Sequence, residues 1–214
     1  SEFVSRMKDN NIKWFATVTT VTEAKEAEQA GADVIIAQGM EAGGHRGSFI
    51  ADNADEKIIG LFSLIPAVVD AVKVPVIAAG GIADGRGMSA ALLLGASAVQ
   101  IGTGFFRSPE AKLPKVWSQK LDNSLPEDTI ATRAFSGRLG RSLRTKYTEA
   151  VNSKDAPSPA PYPIQRYLTQ EMRTNAIKSN TLDGMQAWAG QSAKLALNLS
   201  ASEIVSKIWK DTKQ

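Results

Sequence analysis

Apolar residues in this chain fall into short runs separated by stretches with helical spacing. Trp14 to Thr19 (WFATVT), residues 33–37, Pro75 to Ala79 (PVIAA) and residues 98–102 are short and rich in Val, Ile and Ala. Such continuous apolar runs are the pattern of strands buried on both faces, as in parallel sheets. Between two of them, Leu61, Leu64, Ile65, Val68, Val69 and Val72 recur three and four residues apart, which is one face of a helix. The pattern predicts strands near 13–19, 33–37, 75–79 and 98–102, with helices near 22–30, 60–72 and 86–94. Strands alternating with helices through short loops give a parallel sheet with helices outside it, an α/β fold.

Two segments repeat this unit. Ala27 to Gly39 reads AEQAGADVIIAQG, and Ala91 to Thr103 reads ALLLGASAVQIGT. Each holds a helix end, a Gly-Ala pair, an apolar run and a glycine-containing loop. Glycine after the last helical turn takes the left-handed conformation that reverses the chain.

After Phe106 the pattern changes. Pro114 to Leu121, Ile164 to Ile177 and Ser202 to Trp209 read as helices, with Ser200 or Ser202 as the cap of the last. Prolines at 157, 159, 161 and 163 mark an extended connection. The opening Ser1-Glu2-Phe3 reads as a cloning remainder and is assigned no element.

Composition narrows the function classes. The 214 residues are 43% hydrophobic and 22% charged, a globular composition long enough for one sizeable core. The formal net charge of +3 is small, and basic residues are mixed with acidic ones. The one notable basic cluster, Arg138, Arg141, Arg144 and Lys146, reads as a solvated face or an anion contact rather than a nucleic-acid surface. The chain has no cysteine, which excludes disulfides, thiolate catalysis and cysteine metal sites. No metal ligand set is expected. Apolar stretches such as Val74 to Ile82 are too short to span a membrane, and no secretory signal is visible. The expected location is the cytoplasm.

Candidate chemistry concentrates after the strands. Gln38 to Gly47 (QGMEAGGHRG) carries four glycines and His45, the single histidine of the chain. Glycines at a strand's C-terminal end let backbone approach a flat ligand, and an imidazole exchanges protons near neutral pH. Ala78-Ala79-Gly80-Gly81-Ile82 and Gly102-Thr103-Gly104 follow the last two strands. In a (βα)₈ barrel the loops after strands seven and eight commonly bind phosphate, through converging N–H groups. Thr103 adds a hydroxyl. Farther on, Tyr162 could line a pocket and Gln165 could bond a polar substrate, although an aromatic helix start packed on the core fits as well. Trp188-Ala189-Gly190-Gln191 has the same ambiguity, and a Trp there reads more readily as core.

Taken in this order, QGMEAGGHRG, AAGGI and GTGF resemble the nitronate monooxygenase family, once called 2-nitropropane dioxygenases. FSGR (Phe135 to Arg138), PYPIQ (Pro161 to Gln165) and WAGQ (Trp188 to Gln191) resemble its later motifs. The resemblance runs from about Lys13 and is most specific at EAGGHRG. It implies the C-terminal half of a TIM (βα)₈ barrel, strands five to eight, over residues 1–110. Residues 111–214 would form a mostly helical extension packed on the barrel. It also implies FMN as cofactor, with Gly80, Gly81, Gly102 and Thr103 at the phosphate and Gln38, Gly43 and Gly44 facing the flavin. His45 would be the active-site histidine, with Tyr162 and Gln165 on the substrate side. The implied reaction converts an alkyl nitronate and O₂ to a carbonyl compound and nitrite. Alternatives are an FMN-dependent NADH:quinone or enoyl-thioester reductase, and a flavin-free phosphate-binding half barrel. Four strands alone would expose two sheet edges and an apolar inner face. A complementary N-terminal half or self-association is therefore expected.

Overall fold

The computed structural model describes residues 2–213. Its centre is a four-stranded parallel sheet of β1 (Phe15–Val18), β2 (Val34–Gln38), β4 (Val76–Ala79) and β5 (Ala98–Gln100), in the order β1-β2-β4-β5. These four strands and their parallel pairing match the expected runs. The two-residue strand β3 (Gly44–His45) lies outside this sheet.

Three helices connect the strands: α2 (Val21–Ala30), α3 (Leu61–Val69) and α4 (Gly85–Leu93). Thr20 caps α2 by accepting from the Glu23 N–H, and Asp84 caps α4 by accepting from the Gly87 N–H. The repeated Gly-Ala pairs do the same work twice. Gly31 and Gly95 stand at φ +100° and +98°, and Ala32 and Ala96 donate back to Ala27 and Ala91. That is the glycine-stopped helix end the repeat predicts.

All three helices pack on one face of the sheet. Ala16, Val18, Ile35, Ala37 and Val76 pack with Ala24 and Ala27 of α2 and with Leu64 and Val68 of α3. Ala78 continues that face against Leu61 and Ile65 of α3 and Ala91 of α4. The other face carries the register row Thr17, Ile36, Ile77 and Ala98. A sheet whose spatial order follows chain order, with every crossover helix on one side, is singly wound. That arrangement is the wall of a barrel, whereas a doubly wound sheet has helices on both faces.

The sequence reading placed no strands in the C-terminal half, yet two occur there. β6 (Thr129–Thr132) and β7 (Gly140–Leu143) pair antiparallel, and β7 also pairs antiparallel with β3. Around them lie α5 (Lys115–Asp122), α6 (Lys146–Val151), α7 (Ile164–Leu168), α8 (Gln170–Lys178) and α9 (Ala201–Asp211). No helix or strand falls between Val151 and Ile164, where the four prolines sit. The helix expected over 164–177 is broken at Thr169, whose hydroxyl donates to the Phe135 carbonyl at 2.6 Å. Ser200 caps α9 in a reciprocal box with Glu203. The α9 helix lies against α4 so closely that a β-carbon on Gly85 would stand 2.4 Å from the Asp211 carbonyl carbon. A second cluster, around Leu121, Leu143, Met185 and Ala187, forms the core of this half.

Two further readings change. Glu2 and Phe3, assigned no element from sequence, belong to helix α1 (Glu2–Asp9). The basic cluster also divides. Arg144 and Lys146 are exposed, whereas Arg141 is buried in β7, donating to the Met40 carbonyl and the Thr129 hydroxyl. Among the described residues, no helix is long and apolar enough to cross a membrane.

Candidate functional site

A cleft of about 220 Å³ opens at the C-terminal ends of β2, β4 and β5. Three loops line it. The first, with Gln38 at the end of β2, contributes Ala42, Gly43 and Gly44; the second follows β4 with Gly80, Gly81 and Ile82; the third follows β5 with Gly102 and Thr103. Trp188, Gly190 and Ser192 of the C-terminal half close the remaining side together with Phe106. Seven of the ten residues singled out from sequence therefore surround one space.

The glycines divide into two kinds. Gly43 and Gly190 are packing contacts. A β-carbon on Gly43 would lie 2.5 Å from the Gly190 nitrogen, and one on Gly190 would lie 2.7 Å from the Glu41 oxygen. Side chains there would drive the two loops apart. Gly44 and Gly102 differ, because a β-carbon on either meets nothing within 4 Å. Gly80 and Gly81 turn the second loop with φ of +110° and +69°. Among the described residues, the backbone N–H groups of Gly81, Gly102 and Thr103 have no protein acceptor. The Thr103 hydroxyl accepts from the Gly190 N–H at 2.9 Å, which leaves its own hydrogen for another acceptor.

His45 stands beside the cleft wall. Its ring packs edge-on against Trp188 at 5.1 Å between centroids and against Tyr162 at 6.3 Å. Its Nε2 lies 2.6 Å from the hydroxyl of Ser136, a fully buried residue between β6 and β7. Burial holds the imidazole pKa below its ordinary value, and the Arg138 and Arg166 guanidiniums push it the same way.

Two glutamines use both ends of their amides on backbone. Gln38 donates to the His45 carbonyl at 3.1 Å and accepts from the Gly47 N–H at 2.9 Å, which staples the histidine loop to the end of β2. Gln165 accepts from the Ala160 N–H at 3.0 Å and donates to the Ala134 carbonyl at 2.9 Å. Tyr162 is exposed.

Arg46 and Arg138 clamp the same loop. Arg46 donates to the carbonyls of Gly39 and Gln38, and Arg138 to those of Arg46 and Ser48. Glu23 is buried and accepts from the Thr19 N–H, the Thr19 hydroxyl and the Phe49 N–H. Sequence reasoning gave no role to Ser136, Glu23 or Arg46, and it left Trp188 and Gly190 undecided. The signals were present as FSGR and WAGQ, but partners 91 and 87 residues away are not encoded locally.

Comparison with known proteins follows the same lines. The family model described as nitronate monooxygenase matches residues 1–211. A probable nitronate monooxygenase of Staphylococcus aureus (strain MSSA476) is 43% identical over 205 residues, covering 96% of this chain and 58% of the relative. The crystal structure of a nitroalkane oxidase from Streptomyces ansochromogenes superposes with a TM-score of 0.91 at 37% identity, over 98% of this chain and 60% of that one. FabK from Thermotoga maritima gives a TM-score of 0.78 at 34% identity, over 98% and 64%. The chain thus spans about three fifths of the length of the relatives it matches. It belongs to the nitronate monooxygenase family.

Proposed function

We propose that this chain supplies the phosphate cradle and the active-site histidine of an FMN-dependent enzyme. That enzyme would oxidise alkyl nitronates, such as propionate 3-nitronate, with O₂ to a carbonyl compound and nitrite. One observation carries the reading. Two glycine loops at the ends of neighbouring strands meet at one cleft, with N–H groups that no protein acceptor takes. Converging unpaired N–H groups are what a phosphate needs.

The residues fit FMN. Gly81, Gly102 and Thr103 would hold its phosphate, with Gly80 turning the chain just before Gly81. Gln38, Gly43 and Gly44 would line the flavin, and the open space at Gly44 and Gly102 leaves room for a bound group. Bound FMN would supply the redox chemistry by accepting electrons from the nitronate.

The protein's own groups would do the rest. A lowered pKa keeps His45 neutral near pH 7, so its imidazole can accept the α-proton of a neutral nitroalkane. A nitronate has already lost that proton, and His45 would then bind or polarise it. Arg138 and Arg166 make the surroundings of His45 positive, which favours an anion there. We place Tyr162 on the substrate side, with Gln165 acting through the backbone it fixes.

We also propose that residues 1–110 form the last four βα units of a (βα)₈ barrel and residues 111–214 an extension packed on it. Strands β1 and β5 each end the sheet, and Phe15 of β1 is half exposed. The rest of a barrel, or a second copy, would cover those edges.

The test uses the full-length protein loaded with FMN. Oxygen uptake with nitrite release from propionate 3-nitronate, without NADH, is the expected result. Oxidation of NADH by a quinone or an enoyl thioester with no nitrite would overturn it. A protein that stays colourless after incubation with FMN would overturn the cofactor assignment itself.

A further inference from the structure

His45 has two ring nitrogens, and the structure treats them differently. Nε2 lies 2.6 Å from the Ser136 hydroxyl, while Nδ1 has no protein partner among the described residues. A general base needs a lone pair on the nitrogen that meets the proton. A neutral imidazole offers only one, so the tautomer decides which nitrogen can act.

Ser136 is placed to make that choice. It is fully buried, on the turn that links β6 to β7, and β7 is the strand against which His45 itself is paired. Gly137 holds the turn at φ +81°, where a β-carbon would lie 2.2 Å from the Ala160 oxygen. The hydroxyl has two further neighbours. It donates to the Arg138 carbonyl at 3.3 Å and accepts from the Arg138 N–H at 3.3 Å.

Counting donors separates the two tautomers. With the proton on Nε2, the imidazole donates to Ser136 Oγ. The Ser136 hydrogen then goes to the Arg138 carbonyl, and the Arg138 N–H goes to Ser136 Oγ. Every donor has an acceptor, and only the Nδ1 lone pair is free. With the proton on Nδ1, Ser136 must donate to Nε2. The Nδ1–H then has no protein acceptor, and the Arg138 carbonyl loses its donor. The first arrangement keeps the buried Ser136 hydroxyl and the Arg138 carbonyl both paired, and the second breaks one of those bonds.

We infer that Ser136 is a positioning residue that fixes His45 as the Nε2–H tautomer and leaves Nδ1 as the proton acceptor. The inference rests on the proposed function for its consequence, but the tautomer itself can be read without turnover.

The experiment is ¹⁵N NMR of histidine-labelled, FMN-loaded full-length protein, with the His45 signals identified by their loss in His45→Asn. Above the imidazole pKa, Nε2 should show the shift of a protonated nitrogen and Nδ1 that of a bare one. Ser136→Ala should mix or reverse the two, and Ser136→Thr, which keeps a hydroxyl, should restore them. A bare Nε2 in the native protein would overturn the inference, and so would an unchanged Nε2–H tautomer in Ser136→Ala. If Ser136→Ala does not fold, the native and Ser136→Thr spectra still decide. In turnover, Ser136→Ala should lose ~10-fold or more with a neutral nitroalkane, part of the ~10²–10⁴ a positioned base contributes. It should lose much less with a pre-formed nitronate. If no nitronate is oxidised at all, the functional reading fails while the NMR result stands. If nitronates are oxidised but Nδ1 carries the proton, only the inference fails.

Discussion

Gly102 separates the cradle from the scaffold more cleanly than any other glycine of the cleft. Its φ of −103° suits any residue, and a β-carbon there meets nothing within 4 Å. Gly81 is a poorer probe, because its φ of +69° makes any side chain strained. Gly102→Ala should therefore fold as well as the native protein, or gain about 0.4–1 kcal/mol from a less flexible unfolded chain. For a chain of this size that is a rise of roughly 1–4 °C in Tm without cofactor. Gly102→Asp should fold about as well, because its β-carbon meets nothing within 4 Å. Its effect on FMN is another matter. A carboxylate ~4 Å from a phosphate repels each unit of charge by about 4 kcal/mol at an effective dielectric of ~20. At ~1.4 kcal/mol per tenfold, and with more than one unit of charge on the phosphate, the Kd for FMN should rise on the order of 10³-fold or more. The assay is flavin absorbance per protein after gel filtration, a fluorescence titration for Kd, and thermal unfolding of the flavin-free protein. Native-like flavin binding by Gly102→Asp would refute the cradle. An unfolded Gly102→Asp would refute the claim that this position faces open space.

Four further outcomes follow from the same geometry. Gly43→Ala should destabilise by about 1–3 kcal/mol, because its methyl meets backbone at Gly190 and Ala189 that cannot step aside; chemical denaturation would measure this. His45→Asn should keep flavin content, yet lose ~10²-fold or more of its turnover of a neutral nitroalkane and less with a pre-formed nitronate; equal losses on both would mean His45 is not a base. Because its folded pKa is depressed, His45 is protonated first in the unfolded chain as pH falls below about 6.5. Its neutral burial should therefore cost stability as pH drops through that value and nothing above it. The native-minus-His45→Asn difference in Tm across pH 5–8 should show that slope and no other. Expressed alone, the 214 residues should self-associate, since the sheet ends at β1 and β5 while Phe62 and Leu93 are largely exposed; sedimentation showing a stable monomer would contradict this.

The parallel sheet was legible in the sequence because each strand is a continuous apolar run, and β2 and β5 also follow glycine-stopped helices. Those signals are local, and Gly31 and Gly95 carry them twice. The glycine loops and His45 were legible for the same reason, lying directly after the strands. The antiparallel sheet was not. β7 reads Gly-Arg-Ser-Leu, and all four residues are buried. Its polar members are satisfied at long range, Arg141 by the Met40 carbonyl and Ser142 by the Ala187 carbonyl. No period of two marks such a strand, and charge at Arg141 suggests a solvated surface until its partners are known. Gln38 and Gln165 show a related limit. Residue type announces hydrogen bonding but not with what, and both amides are spent on holding loops.

That sheet also explains why the C-terminal half belongs to the site. Glycine loops after strands approach a ligand closely because they lack side chains, and for the same reason they do not fix their own shape. Here the shape is imposed from the other half of the chain. Gly190 donates to Thr103, Gln191 donates to the Glu41 carbonyl, and β7 pairs with His45. Arg138 and Arg141 reach back to carbonyls of the 40–48 loop. Each of these bonds involves a buried or half-buried backbone group that would otherwise be unmet, at a cost of about 1–3 kcal/mol apiece. The loop that carries His45 is therefore held at least as much by residues 136–191 as by the strand it follows. A chain ending near residue 110 would keep all four parallel strands, but it would lose the wall formed by Trp188 and Gly190, the Ser136 hydroxyl and the strand that aligns the imidazole. The parallel sheet thus provides the cleft floor, and the C-terminal half fixes where the imidazole stands.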